Sequence, residues 1–105
     1  MTTIRISSNE SGIIGFSCTG HSGYAEEGRD IVCAAVSALT TTCVNALETV
    51  AHTVPKVKVG EGLLEARIHA PGNRDAQVIL QSMVQGLRDV SEEYPAYVRV
   101  ICSQE

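Results

Sequence analysis

A histidine and a cysteine, twelve positions apart, are the residues of this sequence whose types and spacing suggest chemistry. His21 lies in a Gly-His-Ser-Gly segment at positions 20–23, and Cys33 follows a loop that contains further glycines. The thiolate is the nucleophilic form of cysteine, and a nearby imidazolium or the positive end of a helix stabilises it. The pair therefore predicts a thiol that is activated for nucleophilic attack.

Cys33 is predicted to lie in the first turn of a long helix. Free backbone N–H groups and the helix dipole can stabilise a negative sulfur there. Ser37, four residues later on the same face, could donate a hydrogen bond to the thiolate or to a substrate. Two ordinary alternatives stay open: Cys33 as a small buried hydrophobic residue, and Ser37 as a hydroxyl bonded to a helix carbonyl.

His21 is expected at the end of a strand, between glycines that let its ring turn toward the start of the helix. General base is its natural role, whereas His52 and His69 are predicted to be structural or solvated. Asp30 precedes the helix. It can cap the helix or orient the imidazole of His21, and both interpretations remain open.

Metal and phosphate binding are the weaker interpretations of the same residues. Cys18, His21 and Cys33 could supply three metal ligands, but Cys18 shares a strand face with Ile14 and Phe16. A phosphate cradle built from the loop glycines would have no need of the histidine and the cysteine together. We therefore predict no metal and no cofactor.

Length and composition indicate one globular domain that spans residues 1–105, with 44% hydrophobic and 19% charged residues. The net charge is −4 and the eight basic residues are scattered, which argues against direct binding to nucleic acid and favours a basic partner. Glu26 and Glu27 could meet such a cationic segment, although solvated loop charges are the simpler interpretation.

The four cysteines, at positions 18, 33, 43 and 102, form no Cys-x-x-Cys pair, so reduced thiols are expected. The N-terminus lacks the apolar segment of a signal peptide, and we expect no apolar run to approach membrane-spanning length. These features predict a cytoplasmic protein without membrane association.

Hydrophobic periodicity predicts the elements that must position the pair. Residues 2–7 and 13–19 alternate and form a hairpin, and a helix runs from Asp30 to Thr53, where Val54-Pro55 ends it. A second hairpin (56–59 and 63–69), a helix capped by Asn73 and a strand over 96–102 follow. The predicted fold is α+β: a mostly antiparallel sheet packed with two helices, in the order strand-strand-helix-strand-strand-helix-strand.

Residues 20–37 resemble the signature of the bacterial ribosomal-processing cysteine proteases. The segment joins a Gly-His-Ser-Gly element, a Gly-x-Asp element and a Cys-Ala-x-Val-Ser helix start at the spacing of that family. The length of the chain and its order of elements are also similar, although residues 55–105 agree only in pattern. The residues that carry the resemblance are Gly20, His21, Ser22, Gly23, Gly28, Asp30, Cys33, Ala34, Val36 and Ser37.

The resemblance implies a cysteine endopeptidase that removes an N-terminal extension from a large-subunit ribosomal protein, the one whose tail reaches the peptidyl-transferase centre. It implies Cys33 as nucleophile, His21 as general base, and homodimers that cleave after two aromatic residues, ahead of a basic tail. Backbone N–H groups at the helix start would hold the oxyanion. Implied supporting residues are Gly20, Asp30 and Ser37, and an implied substrate-binding loop contains Ser22, Gly23, Glu26, Glu27 and Gly28.

Two other classes of function compete with this hypothesis. A non-catalytic ribosome-assembly adaptor would use the same loop and helix only to grip a basic tail. A thiol-based redox sensor would pair Cys33 with Cys18 as resolving partner.

Overall fold

Seven elements follow one another in the predicted order in the computed structural model, which describes residues 1–105. Each strand and each helix overlaps the segment that the hydrophobic periodicity predicts. Their bounds are β1 Thr2–Asn9, β2 Gly12–Thr19, α1 Ile31–Thr49, β3 Lys56–Gly60, β4 Leu63–Arg67, α2 Arg74–Glu93 and β5 Val98–Gln104.

The five strands form one sheet in the order β3-β4-β2-β1-β5. The pairs β1–β2, β2–β4 and β3–β4 are antiparallel, and only β1–β5 is parallel. The predicted α+β class with a mostly antiparallel sheet is therefore confirmed. Because β2 and β4 are neighbours, the end of β2 and the two-residue turn between β3 and β4 lie at the same edge of the site described below.

Both helices bury one face in a single hydrophobic cluster with the sheet. On α1 this face contains the buried side chains of Val32, Val36, Cys43 and Leu47. Thr40 is also buried, and its hydroxyl donates to the carbonyl of Val36 at 3.0 Å. That hydrogen bond satisfies the hydroxyl within the helix, which is why a polar residue is tolerated on the buried face.

The end of α1 differs from the prediction, because the helix stops at Thr49, well before Pro55. The N–H groups of Val50 and Ala51 both reach the carbonyl of Ala46, at 2.8 and 3.2 Å. His52 then adopts a left-handed backbone with φ of 54°. Glycine usually takes this position, so the sequence carried no local signal for the stop.

By length and composition, α1 is apolar enough to cross a membrane, and the expectation that no run approaches this length was wrong. A helix that packs in a protein core, or a signal sequence near the N-terminus, meets the same criterion. The buried face of α1 described above is that of a helix that packs in a protein core.

Candidate active site

The end of β2 is fixed against the β3–β4 turn by Gly20. Its N–H donates to the carbonyl of Gly62 at 2.9 Å, and its φ is +84°. A Cβ at this position would lie 2.5 Å from the carbonyl oxygen of Met1, so a side chain does not fit. Gly20 therefore sets the direction in which the next residue, His21, leaves the sheet.

Asp30 is the N-cap of α1 and holds Cys33 in the first helical turn. Its Oδ1 accepts a hydrogen bond from the N–H of Cys33 at 2.8 Å. Its Oδ2 accepts the hydroxyl of Ser22 and, at 3.4 Å, the N–H of Ala25. Both carboxylate oxygens are thus committed to the helix start and to the preceding loop, and neither bonds to His21.

The charge state of Asp30 follows from these contacts. Desolvation raises its pKa, but the hydrogen bonds from Ser22, Cys33, Ala25 and Val32 together outweigh that effect and hold the pKa of Asp30 below its usual value. Ser22 itself is only 2% exposed. It points inward and ties the loop to Asp30, and its predicted contact with substrate stays a prediction.

The tip of the loop is held by an aromatic contact. Tyr24 packs edge-to-face on Tyr94 and Tyr97, with ring centroids 5.5 and 5.2 Å away. Such arrangements are favoured by the charge distribution of aromatic rings. The loop is therefore anchored to the corner between α2 and β5 as well as to Asp30.

Two cavities meet at His21, Cys33 and Ser37, which line both of them. The first, here the hairpin cavity, has a volume of about 410 Å³ and lies between α1 and the β3–β4 hairpin. The second, the loop cavity, has a volume of about 580 Å³ and lies between α1 and the loop. The structure thus brings the predicted base and nucleophile to one shared boundary, with a cavity on either side.

The two cavities differ in character. The hairpin cavity has an aliphatic wall that is formed by Val36, Val44, Val57, Val59, Leu63 and Leu64. The loop cavity carries the carboxylates of Glu27, Asp30 and Glu61 beside the single guanidinium of Arg29. Gly23 and Gly28 line the loop cavity as well, whereas Glu26 lines neither cavity. One side of the cysteine therefore suits apolar groups and the other suits cations.

Several of these residues were not predicted from the sequence. Val57, Val59 and Glu61 belong to the second hairpin, which was predicted only as structure, and they reach the site because β4 pairs with β2. Cys18 lines the hairpin cavity as well. The sequence did offer one signal for the two valines: they alternate with lysines along β3, and the prediction assigned them no place in the core.

Cys18 differs chemically from Cys33 although both line the hairpin cavity. Burial and, to a smaller extent, the charge of Cys33 raise the pKa of the Cys18 thiol to about 11. Cys18 therefore stays protonated at neutral pH and is a poor nucleophile. All four cysteines are free, and no group of three His, Cys, Asp or Glu side chains is arranged to hold a metal ion.

We expect Asp30→Asn to lower the melting temperature at pH 7, because the amide loses the charged acceptor for Ser22. The pKa of Asp30 is lowered in the fold, so its carboxylate stabilises the protein above the usual aspartate pKa, and this contribution is lost as the pH falls through the lowered value. The difference from wild type should therefore close in acid, as thermal melts from pH 7 to pH 2 would show. Ser22→Ala should reproduce the effect. If the melting temperature is unchanged and the activity falls by ~10⁴-fold, the loss typical of a missing tautomer-fixing carboxylate, then Asp30 instead orients the imidazole of His21.

Comparison with known proteins gives a consistent result. The profile of the family described as "Cysteine protease Prp" matches residues 1–99. The ribosomal processing cysteine protease Prp of Bacillus subtilis is 34% identical over 104 residues, which cover 93% of this chain and 92% of the relative.

Two crystal structures of the essential ribosomal processing protease Prp from S. aureus are also similar. One contains a covalently linked product peptide and superposes with a TM-score of 0.94 at 31% identity, covering 98% of this chain and 100% of the other. The second contains a substrate peptide and gives a TM-score of 0.88 at 30% identity, with the same coverage.

Proposed function

Because this chain belongs to the cysteine protease Prp family, we propose that it cleaves the N-terminal extension from a large-subunit ribosomal protein, the one that reaches the peptidyl-transferase centre. The observation that carries the proposal is the meeting of His21, Cys33 and Ser37 at the boundary between an apolar and an acidic cavity. A thiol protease needs a base beside its cysteine. It also needs space on both sides of that cysteine, because the peptide extends in both directions from the scissile bond.

The chemistry runs through the two side chains at that boundary. His21 takes the proton from the thiol of Cys33, and the sulfur attacks the carbonyl carbon of the scissile peptide bond. As the tetrahedral intermediate collapses, the C–N bond breaks and the imidazolium returns its proton to the leaving amine. Water, deprotonated by the same imidazole, then hydrolyses the thioester and frees Cys33.

The oxyanion needs a hydrogen-bond donor that the fold has not already used. The N–H of Cys33, the first candidate at the helix start, donates to Asp30 at 2.8 Å. The hydroxyl of Ser37 lies one helical turn further on, lines both cavities and has no hydrogen-bond partner within the chain. We therefore propose the hydroxyl of Ser37 as an oxyanion donor, in addition to the N–H groups of the helix start that remain free.

The substrate would lie across the boundary in an extended form. Aromatic side chains ahead of the cut fit the aliphatic wall of the hairpin cavity, where Val59 is 73% exposed and uncovered by the chain. Basic residues beyond the cut fit the loop cavity, where Glu27 and Glu61 offer carboxylates. This orientation accounts for the difference between the two cavities.

Cleavage of the natural precursor tests the proposal. The purified protein should shorten the encoded form of the ribosomal protein at a single site, immediately after two aromatic residues, as intact-mass spectrometry would show. A precursor in which alanines replace the aromatic pair should be cleaved at least 10²-fold more slowly, because the hairpin cavity then loses about 1.5–3 kcal/mol of apolar contact for each of the two rings. Failure to shorten the natural precursor would contradict the proposed substrate.

We also propose, from the family resemblance, that the protein is a cytoplasmic homodimer. An apolar groove of about 430 Å³ between α1 and α2 supports a second copy as partner. Ala38, Ala46 and the 50% exposed Val78 contribute to it, and no element of the chain covers it. Sedimentation equilibrium should give the mass of two chains.

A further inference from the structure

Nothing in the hydrogen-bond network of the chain holds the imidazole of His21. The obvious orienting carboxylate, Asp30, has committed its oxygens to Ser22, Ala25 and Cys33. The chain's one ion pair joins Arg67 to Glu105, so no carboxylate oxygen lies within 4 Å of an imidazole nitrogen of His21. His21 is exposed, so only packing against a neighbouring element can position its ring.

The contact that does this comes from the β3–β4 turn, forty residues further along the chain. An atom at the Cβ position of Gly62 would lie 3.2 Å from Nε2 of His21 and 3.7 Å from its Cδ2. The side of Gly62 on which a Cβ would stand therefore faces the ring edge. Its carbonyl also accepts the N–H of Gly20 at 2.9 Å, which fixes the main chain from which His21 projects.

Two features require glycine at position 62. Its φ is +62°, in the left-handed region that side-chain-bearing residues avoid. A Cβ would also lie closer to Nε2 than nine in ten Cβ contacts in proteins, so the ring would have to give by a few tenths of an ångström. A side chain at this position would displace the imidazole even if the backbone tolerated it.

We propose that Gly62 is a positioning residue for His21: the β3–β4 turn sets the direction of the imidazole toward Cys33 and keeps its Nε2 edge unobstructed. The inference rests on the proposed role of His21 as general base. It assigns a part in the reaction to a turn that contributes no reacting group. The second hairpin thus belongs to the site both through its cavity wall and through this contact.

Gly62→Ala tests the inference, with Gly72→Ala as the matched control, since a Cβ at Gly72 meets nothing within 4 Å and its backbone is not left-handed. We expect kcat to fall by about tenfold with little change in KM, less than the ~10²-fold that a 1 Å misplacement costs, because a Cβ at 3.2 Å moves the ring by a few tenths of an ångström. The rate of Cys33 alkylation by iodoacetamide at neutral pH should fall as well, and the Cε1–H resonance of His21 should shift. Gly72→Ala should leave all three unchanged.

A second variant separates ring displacement from backbone strain. Asparagine tolerates left-handed backbone better than alanine does, yet it places the same Cβ against the ring. Gly62→Asn should therefore melt at a higher temperature than Gly62→Ala and lose as much kcat. Recovery of wild-type kcat in Gly62→Asn, or an unmoved His21 resonance in both variants, would overturn the inference. If the wild-type protein cleaves no precursor, the proposed function fails while the alkylation and resonance measurements still decide the role of Gly62.

Discussion

Replacing Cys33 by alanine is expected to stop cleavage of the ribosomal precursor, with the rate falling by about 10⁴- to 10⁶-fold, as for other enzymes that lose their nucleophile. No other side chain can take over, because the neighbouring thiol of Cys18 has a pKa raised to about 11 and stays protonated. Binding of the precursor should be preserved within a few-fold, since both cavities keep their walls. Single-turnover cleavage and equilibrium binding of a fluorescent precursor would measure the two effects separately.

Cys102→Ala is the matched control for this substitution. Cys102 is exposed on β5, where it contacts the guanidinium of Arg88 and lines neither cavity of the site. The Cys102→Ala protein should therefore cleave the precursor at the wild-type rate. Cleavage that survived in Cys33→Ala would remove the proposed nucleophile, and a Cys33→Ala protein that still supported ribosome assembly in cells would favour the non-catalytic adaptor.

Cys18 and Cys33 are the two thiols that the redox alternative would use. Cys18 lies close enough to Cys33 to be influenced by its charge, so a disulfide between them is the state that a sensor would need. A resolving thiol attacks as thiolate, however, and burial keeps Cys18 protonated at neutral pH. Proximity without ionisation fits a wall of the hairpin cavity better than a resolving partner.

The local part of the site could be predicted from the sequence, because its signals lie within a few residues of one another. Asp30 three residues before Cys33 is an N-cap pattern, and the structure confirms the hydrogen bond that this spacing predicts. The cap also bears on the oxyanion donor, which the sequence places among the N–H groups of the helix start. Once Asp30 holds the N–H of Cys33, that group no longer serves an oxyanion, which only the paired atoms reveal.

The other part of the site depends on strand order, which no local pattern specifies. Gly62 and Glu61 reach the site only because β4 pairs with β2, and a hairpin pattern alone does not state which strand becomes its neighbour. The end of α1 was missed for a related reason. His52 adopts a left-handed backbone, and neither glycine nor proline marks that position in the sequence.

Replacing His21 by alanine is expected to lower the rate of cleavage at neutral pH by about 10²- to 10⁴-fold, the usual contribution of a general base. The loss should shrink at alkaline pH, where hydroxide removes the thiol proton without the imidazole. His69→Ala is the matched control, since His69 is exposed and lines neither cavity. Full pH–rate profiles of the three proteins would measure both effects.

The shape of these profiles distinguishes a base from a residue that merely shapes the site. If His21 transfers the proton, the wild-type and His69→Ala profiles share an acid limb that His21→Ala lacks, because protonation of the imidazole then no longer limits the rate. If His21 only packs against Gly62 and the loop, the variant loses rate by one factor at every pH. A parallel profile of that kind would leave Cys33 as the nucleophile but remove the base from the mechanism, and the proton would have to leave through the loop cavity, where Glu61 and Glu27 are the remaining acceptors.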